Sequence, residues 1–327
     1  MSNHILKKIL PADTIFLITS SAYPNDIVNL LKKIDKQYQS HPVAFYNTDI
    51  WRYGQDPDLM HFLNNDIRDF YILSLGYKNK RIARNIIELS WPHFYFCRPK
   101  NDPPIDSEKN REYAFSCLNN RSSFERLILG YDLWKKKLLE KIIFSQNLTN
   151  LPGGNYIGIL NDLPGMQNYI SSLPRKWHIE NSSNFSEDHT IDHVAYHDSY
   201  CNIVTESQMQ EFIFEGPVID LPIITEKSYK PFRSKQIPIW FAAPGHIQYL
   251  QSLGFETMQD LLPDNFDQLG VFDRSQAVCN IVEKGHEYIQ DFYFSHIREL
   301  KHNYDLVRSD KVDNLIIDNI KSFLSDT

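Results

Sequence analysis

Short apolar runs recur along this chain, separated by longer segments whose apolar residues fall at helical spacing. That alternation constrains the fold more than any other feature, because strands joined through helices build sheets that are mostly parallel. Strands are expected at Thr14–Thr19, Pro42–Tyr46, Phe70–Leu75, His93–Cys97 and Tyr113–Leu118, with helices over Asn25–Tyr38 and Lys80–Leu89. Tyr156–Leu160, Cys201–Glu206 and Pro238–Ala243 continue the series of strands. From Ser275 onward the chain reads as helix, closing on an apolar stripe at Leu315, Ile316, Ile320, Phe323 and Leu324. The expected class is α/β with mostly parallel sheets. The turn-rich Leu148-Thr-Asn-Leu-Pro-Gly-Gly154 is the expected boundary, giving domains over 1–150 and 151–300 and a helical segment over 301–327.

Composition removes several function classes. With only 12 glycines the chain holds no G-x-G-x-x-G and no G-x-x-x-x-G-K-[ST], so neither the dinucleotide fingerprint nor the P-loop is present. Lys and Arg number 34 against 41 Asp and Glu, a net charge of −7 and the wrong sign for a protein that coats nucleic acid. No apolar run approaches the ~18 residues of a spanning helix, so integral membrane association is not expected. Lys7 and Lys8 precede apolar Thr14–Thr19 in the manner of a signal peptide, but Asp13 interrupts and the run is short; a first strand is the better reading. Cys97, Cys117, Cys201 and Cys279 are far apart with no C-x-x-C, which suggests neither zinc cluster nor disulfide framework. A cytoplasmic protein is expected.

Two segments can carry chemistry. In Tyr113–Arg126 a strand ends near Leu118, and a helix begins with Ser122 and Glu125 in the S-x-x-E spacing of a capping box. Phe124, Leu127, Ile128, Tyr131, Leu138 and Ile142 form its apolar stripe. Arg121 then sits between a strand's carboxyl end and a helix N-terminus, where free N–H groups favour an anion and a guanidinium adds bidentate phosphate recognition. Solvated charges flanking a cap are the alternative for Arg121 and Arg126. In the second segment, Leu221–Pro231, Thr225 can cap a short helix whose first turn carries Glu226 and Lys227. A carboxylate there can accept both hydroxyls of a ribose, and the ammonium can neutralise a diphosphate.

Taken together, these pieces resemble a known family. Thr225-Glu-Lys-Ser-Tyr-Lys-Pro231, then Ala243-Pro-Gly-His-Ile-Gln-Tyr-Leu-Gln-Ser-Leu-Gly-Phe-Glu-Thr257 and Asp264-Asn-Phe-Asp267, is similar to the donor-binding half of fucosyltransferase-like glycosyltransferases of GT-B fold. Their pattern runs T-E-K-x-[FY]-K-P, a strand, P-G-s-l-x-y-L-r-x-x-G-F-x-T-F, then D-E-s-Y-D. Cys201-Asn-Ile-Val-Thr-Glu-Ser207, Leu118-Asn-Asn-Arg-Ser-Ser-Phe-Glu-Arg126 and Leu300-Lys-His-Asn-Tyr-Asp305 resemble further elements of that group. The resemblance covers residues 113–305. Met258 departs from it where an aromatic is usual, and Asn265 and Phe266 stand where Glu and Tyr are common.

The resemblance implies two Rossmann-like domains facing across a cleft, with the C-terminal helices crossing back to the first. It implies that Glu226 holds the donor ribose and Lys227 the diphosphate, that Arg121 approaches the phosphates from the other domain, and that Glu206 and Ser207 line the donor pocket beside Thr225. The expected activity is transfer of a sugar from a nucleotide sugar to a hydroxyl acceptor such as a glycan, with inversion and with neither metal nor cofactor. The alternatives are a phage-type enzyme glycosylating hydroxymethylated DNA bases, which is not favoured, and a non-catalytic nucleotide or sugar binder of the same fold. His189, His193 and His197 share an i, i+4, i+8 spacing, but their surroundings read as a polar loop rather than a zinc helix. Asp56-Pro-Asp58 makes a formal D-x-D inside a turn composition and is read as a turn.

Overall fold

The computed structural model describes residues 9–18, 41–46, 61, 63, 65, 68–74, 80–90, 102, 104–119, 123–148, 160–173, 176–177, 191, 194–206 and 224–326. The chain is α/β with two sheets, five strands in each among the described residues. It divides into two compact units: residues 1–97 with 214–225 and 310–327, and residues 98–213 with 226–309. No helix among the described residues is long and apolar enough to cross a membrane.

In the first unit β1 (Ile15–Ile18), β2 (Val43–Tyr46), β3 (Phe70–Ser74), β4 (Lys80–Ala83) and β5 (Ile86–Ser90) form a sheet in the order β1-β2-β3-β5-β4. All neighbours run parallel except β4, which is antiparallel to β5. The helix expected over Lys80–Leu89 is therefore a hairpin. Its apolar residues at 82, 83, 86 and 87 match a helix by spacing, yet Arg84 and Asn85 make a turn. Asn85 locks that turn, its Nδ2 donating to the carbonyls of Arg68 at 2.9 Å and Leu63 at 3.0 Å. Ile86 and Leu89 are then fully buried. The helix Lys311–Ser325 packs on β5 and buries Val312, Ile316 and Ile320, while Leu315 of the expected stripe is exposed. The expected Asn25–Tyr38 helix and His93–Cys97 strand lie outside the described residues.

The second unit runs β6 (Tyr113–Asn119), α1 (Phe124–Lys135), β7 (Ile142–Asn147), α2 (Met166–Ser172), β8 (Lys176–Trp177), α3 (Val194–His197) and β9 (Ser199–Thr205). It continues with α4 (Lys230–Arg233), β10 (Ile237–Phe241), α5 (His246–Ser252), α6 (Val271–Glu283), α7 (Gly285–Ser295) and α8 (Ile297–Arg308). Its sheet is ordered β10-β9-β6-β7-β8, parallel throughout except for β8. β6 and β7 precede residue 150 and β9 and β10 follow it, so the boundary expected at 150 falls inside this unit.

That boundary was misplaced because β7 is hidden in the sequence. The stripe through Leu138 and Ile142 continues the helical period, but α1 stops at Lys135 and Ile142 opens a strand. The stop is a Schellman closure: Leu138 N–H reaches the Leu133 carbonyl at 2.8 Å and Lys137 N–H that of Trp134 at 2.9 Å, with Lys137 at φ 58°. A lysine stands where glycine is the usual signal. At the other end the cap is Ser123 rather than Ser122, its side chain accepting from Arg126 N–H. α1 packs against α6 and α2, and α7 and α3 against β6 and β9. Gly130 of α1 lets Tyr169 of α2 lie directly on the backbone; a Cβ there would overlap the Tyr169 hydroxyl.

Candidate functional site at the carboxyl edge of the second sheet

From β6 the chain steps outward to β7 on one side, then returns to β9 on the other and steps out to β10. The order of connections thus reverses between β6 and β9. Open α/β sheets bind ligands in the crevice outside the strands' carboxyl ends at such a point. The residues that end these strands are Asn119, Thr205 with Glu206, and Gln146 on β7.

They are cross-linked by side chains. Thr205 Oγ1 donates to Asn119 Oδ1 at 2.5 Å, and Asn119 Nδ2 donates to Gln146 Oε1 at 3.4 Å. Arg126 reaches over from the first turn of α1, its Nε on Thr205 Oγ1 at 3.2 Å and Nη2 on the Thr205 carbonyl at 2.9 Å. Arg126 is 2% exposed. This guanidinium pins α1 to the end of β9.

One residue further, Glu206 meets two segments that are distant in sequence. Ser228 Oγ lies 2.6 Å from Glu206 Oε1 and 2.9 Å from His246 Nε2. All three residues are fully buried. A carboxylate only accepts, so the Ser228 hydroxyl proton points at Glu206 and its oxygen accepts from His246 Nε2–H. The bond pattern assigns His246 the Nε2–H tautomer and leaves Nδ1 an acceptor, which has no partner among the described residues. Burial, with Arg274 adding to it, lowers the His246 pKa to about 3, so the ring is neutral.

The segments around this network are held by residues of the Ala243–Thr257, Asp264–Asp267 and Leu300–Asp305 stretches. Asp267 accepts from the N–H groups of Ile247 and Gln248, both at 3.2 Å, and so closes the start of α5. Arg274 is fully buried, bonds the carbonyls of Ala242 and Asp267, and lies over the Phe266 ring at 5.3 Å. Asn303 clamps Glu256 through both its N–H (2.8 Å) and its carbonyl (2.7 Å), and His302 Nε2 lies 3.0 Å from the Gly254 carbonyl. Met258 and Phe266, the departures noted above, are both buried and pack.

Of the expected site residues, Glu206 is brought beside the Glu226–Ser228 turn, where it is enclosed rather than open. Thr225 is buried and immediately precedes that turn, which is one turn of 3₁₀ helix followed by α4. Lys227 is half-buried. Arg121, Ser207 and the side chain of Glu226 lie outside the described residues, as do Asp56, Asp58, His189 and His193. Among the described residues no group of three or more His, Cys, Asp or Glu side chains is placed to hold a metal ion. Sequence reasoning missed Ser228 and His246. Both stand inside quoted motifs, but nothing in a sequence says that residues 206, 228 and 246 meet.

Neither a family model nor a curated protein matches the chain.

Proposed function

We propose that the protein is a glycosyltransferase that moves a sugar from a nucleotide-sugar donor to a hydroxyl acceptor. One observation carries this reading. Three of the stretches that carry the resemblance, Cys201–Ser207, Thr225–Pro231 and Ala243–Thr257, meet in the Glu206–Ser228–His246 network at the carboxyl edge of a mostly parallel sheet. That is the edge where α/β folds take nucleotides.

In this reading the two units are the domains of a GT-B enzyme, with donor on the second and acceptor glycan or other hydroxyl compound on the first. Lys227 meets the diphosphate, Glu226 the ribose, and Arg121, expected from the other domain but falling in the same unit as Lys227, adds a second cation for the phosphates. Thr225 and Ser207 line the same pocket. The chemistry is a single inverting displacement at the anomeric carbon: the acceptor oxygen bonds to that carbon as its bond to the diphosphate oxygen breaks. A base takes the acceptor's proton. Negative charge grows on the departing nucleoside diphosphate, and the two cations stabilise it more in the transition state than in the ground state. Charge-assisted hydrogen bonds contribute roughly 1.5–3 kcal/mol each, so Lys227 and Arg121 together are a substitute for a divalent ion.

A panel of nucleotide sugars in a thermal-shift assay tests the reading, since a ligand at 100 times its Kd adds about 2.7 kcal/mol. Lys227→Ala is expected to lower affinity for the nucleoside diphosphate by roughly 10- to 100-fold in calorimetry, with stability unchanged within about 0.5 kcal/mol. With the correct donor, EDTA is expected to leave the transfer rate within about twofold. Loss of activity in EDTA and its return with magnesium or manganese would overturn the metal-independent mechanism.

A further inference from the structure

A single 3₁₀ turn has poor hydrogen-bond geometry and little stability of its own. The Glu226–Ser228 turn is nonetheless fixed, because its last residue donates its proton to Glu206 and accepts on its oxygen from His246. At three residues per turn, successive side chains diverge by about 120°. With Ser228 drawn fully inward, its neighbour Lys227 is turned away from that anchor, and it is half-buried where Ser228 has no exposure at all. We propose that Ser228, held by Glu206 and His246, is a positioning residue that fixes the orientation of Lys227 toward a diphosphate.

The proposal rests on the reading above, in which Lys227 meets the donor's diphosphate, and it changes the role of Glu206. This carboxylate has no exposed surface, and it accepts from the Ser228 hydroxyl at 2.6 Å. It anchors the turn rather than lining the pocket. His246 supplies the second fixed point from the start of α5, and α5 is itself held by Asp267. The anchor therefore ties the end of β9 and the start of α5 to one hydroxyl. A long lysine side chain loses rotamer freedom when it grips a ligand, and a fixed backbone beneath it reduces what else must be ordered on binding.

A double-mutant cycle on the full chain tests this, with GDP, UDP, CDP and dTDP as probes in calorimetry. Ser228→Ala is expected to weaken the nucleoside diphosphate that binds by about tenfold, a coupling in the range seen for residues that touch. In the Lys227→Ala background the same change is expected to have no further effect within twofold, and Ser228→Thr, which keeps the hydroxyl, is expected to restore affinity. Unchanged affinity in Ser228→Ala with only a lower Tm would overturn the proposal, as would full additivity with Lys227→Ala. If Lys227→Ala leaves affinity unchanged, or no nucleoside diphosphate binds the wild-type chain, the underlying reading fails and the proposal with it. Should Ser228→Ala not fold, Ser228→Cys, which keeps the volume but bonds weakly, carries the same cycle.

Discussion

The two edges of the second sheet use polar residues in opposite ways. At the amino edge one cation serves the backbone: Arg111 Nη1 donates to the Ser199 carbonyl at 2.6 Å, and Nη2 to those of Ser234 at 3.0 Å and Lys235 at 3.2 Å. Nη2 also reaches Tyr293 Oη at 3.1 Å, and the guanidinium lies over that ring at 5.0 Å. Beside it Gln236 Nε2 donates to the carbonyls of Ala195 and Ser199. At the carboxyl edge two networks join side chain to side chain, Thr205–Asn119–Gln146 and Glu206–Ser228–His246. The amino edge closes strand starts onto each other. The carboxyl edge instead aims loops, since each side chain there begins or ends a connecting segment.

The largest expected effect breaks the amino edge. Arg111→Leu takes the buried guanidinium from the carbonyls of Ser234 and Lys235 and leaves that of Ser199 with Gln236 alone, and is expected to cost about 3–5 kcal/mol in urea unfolding. Arg111 is 3% exposed and burial lowers its pKa, so the guanidinium has no solvent to fall back on. Affinity of the folded fraction for nucleoside diphosphate is expected to stay the same. A cost below about 1 kcal/mol would show that the two edges do not differ in this way.

The second effect belongs to the carboxyl edge and depends on pH. Folded His246 stays neutral down to about pH 3, whereas the unfolded ring takes a proton near its ordinary 6.5. Between these values the unfolded state binds more protons, so stability falls as pH drops through 6.5 toward 3. The slope from this group alone is up to about 1.4 kcal/mol per pH unit. Comparison of Tm from pH 7 to 4 in the wild type and in His246→Asn measures it. The variant is expected to lose the part of the acid slope that His246 contributes; identical slopes would place the acid sensitivity elsewhere.

How much of this was legible in the sequence differs between the edges. The strand-and-helix alternation marks β6, β9 and β10, because each is a short segment rich in apolar, aromatic and β-branched residues. The carboxyl-edge motifs were visible as sequence, but their roles were not. Asn303, Asp267 and Arg274 bond backbone groups of segments 19–47 residues away or turns beside them, and such pairing has no local signature. The amino edge gave no signal: Arg111 looks like any surface arginine, and its partners are carbonyls, which every residue carries. β4, β5 and β7 were misread for one reason. Ile, Leu and Ala at spacings of three and four fit a helix as well as a buried strand, and the turns that decide the matter use Arg84–Asn85 and Lys137 instead of glycine.

Two non-glycine turns give the smallest and most discriminating prediction. Lys137 and Lys235 both take left-handed backbone, at φ 58° and 50°, in the closures that precede β7 and β10. An L residue costs about 1–2 kcal/mol there, and glycine removes that strain while adding freedom to the unfolded chain. The Lys137 side chain is exposed, so Lys137→Gly is expected to raise stability by about 0.5–1 kcal/mol. Lys235 does more: its Nζ donates to the Ile105 carbonyl at 2.8 Å and lies over the Tyr304 ring at 4.4 Å. Those contacts together contribute roughly 1–2 kcal/mol, so Lys235→Gly is expected to be neutral or destabilising. Urea midpoints at unchanged m-value read both. Equal stabilisation by the two glycines would mean that Lys235 adds nothing to the amino edge beyond its backbone, and that Arg111 closes it alone.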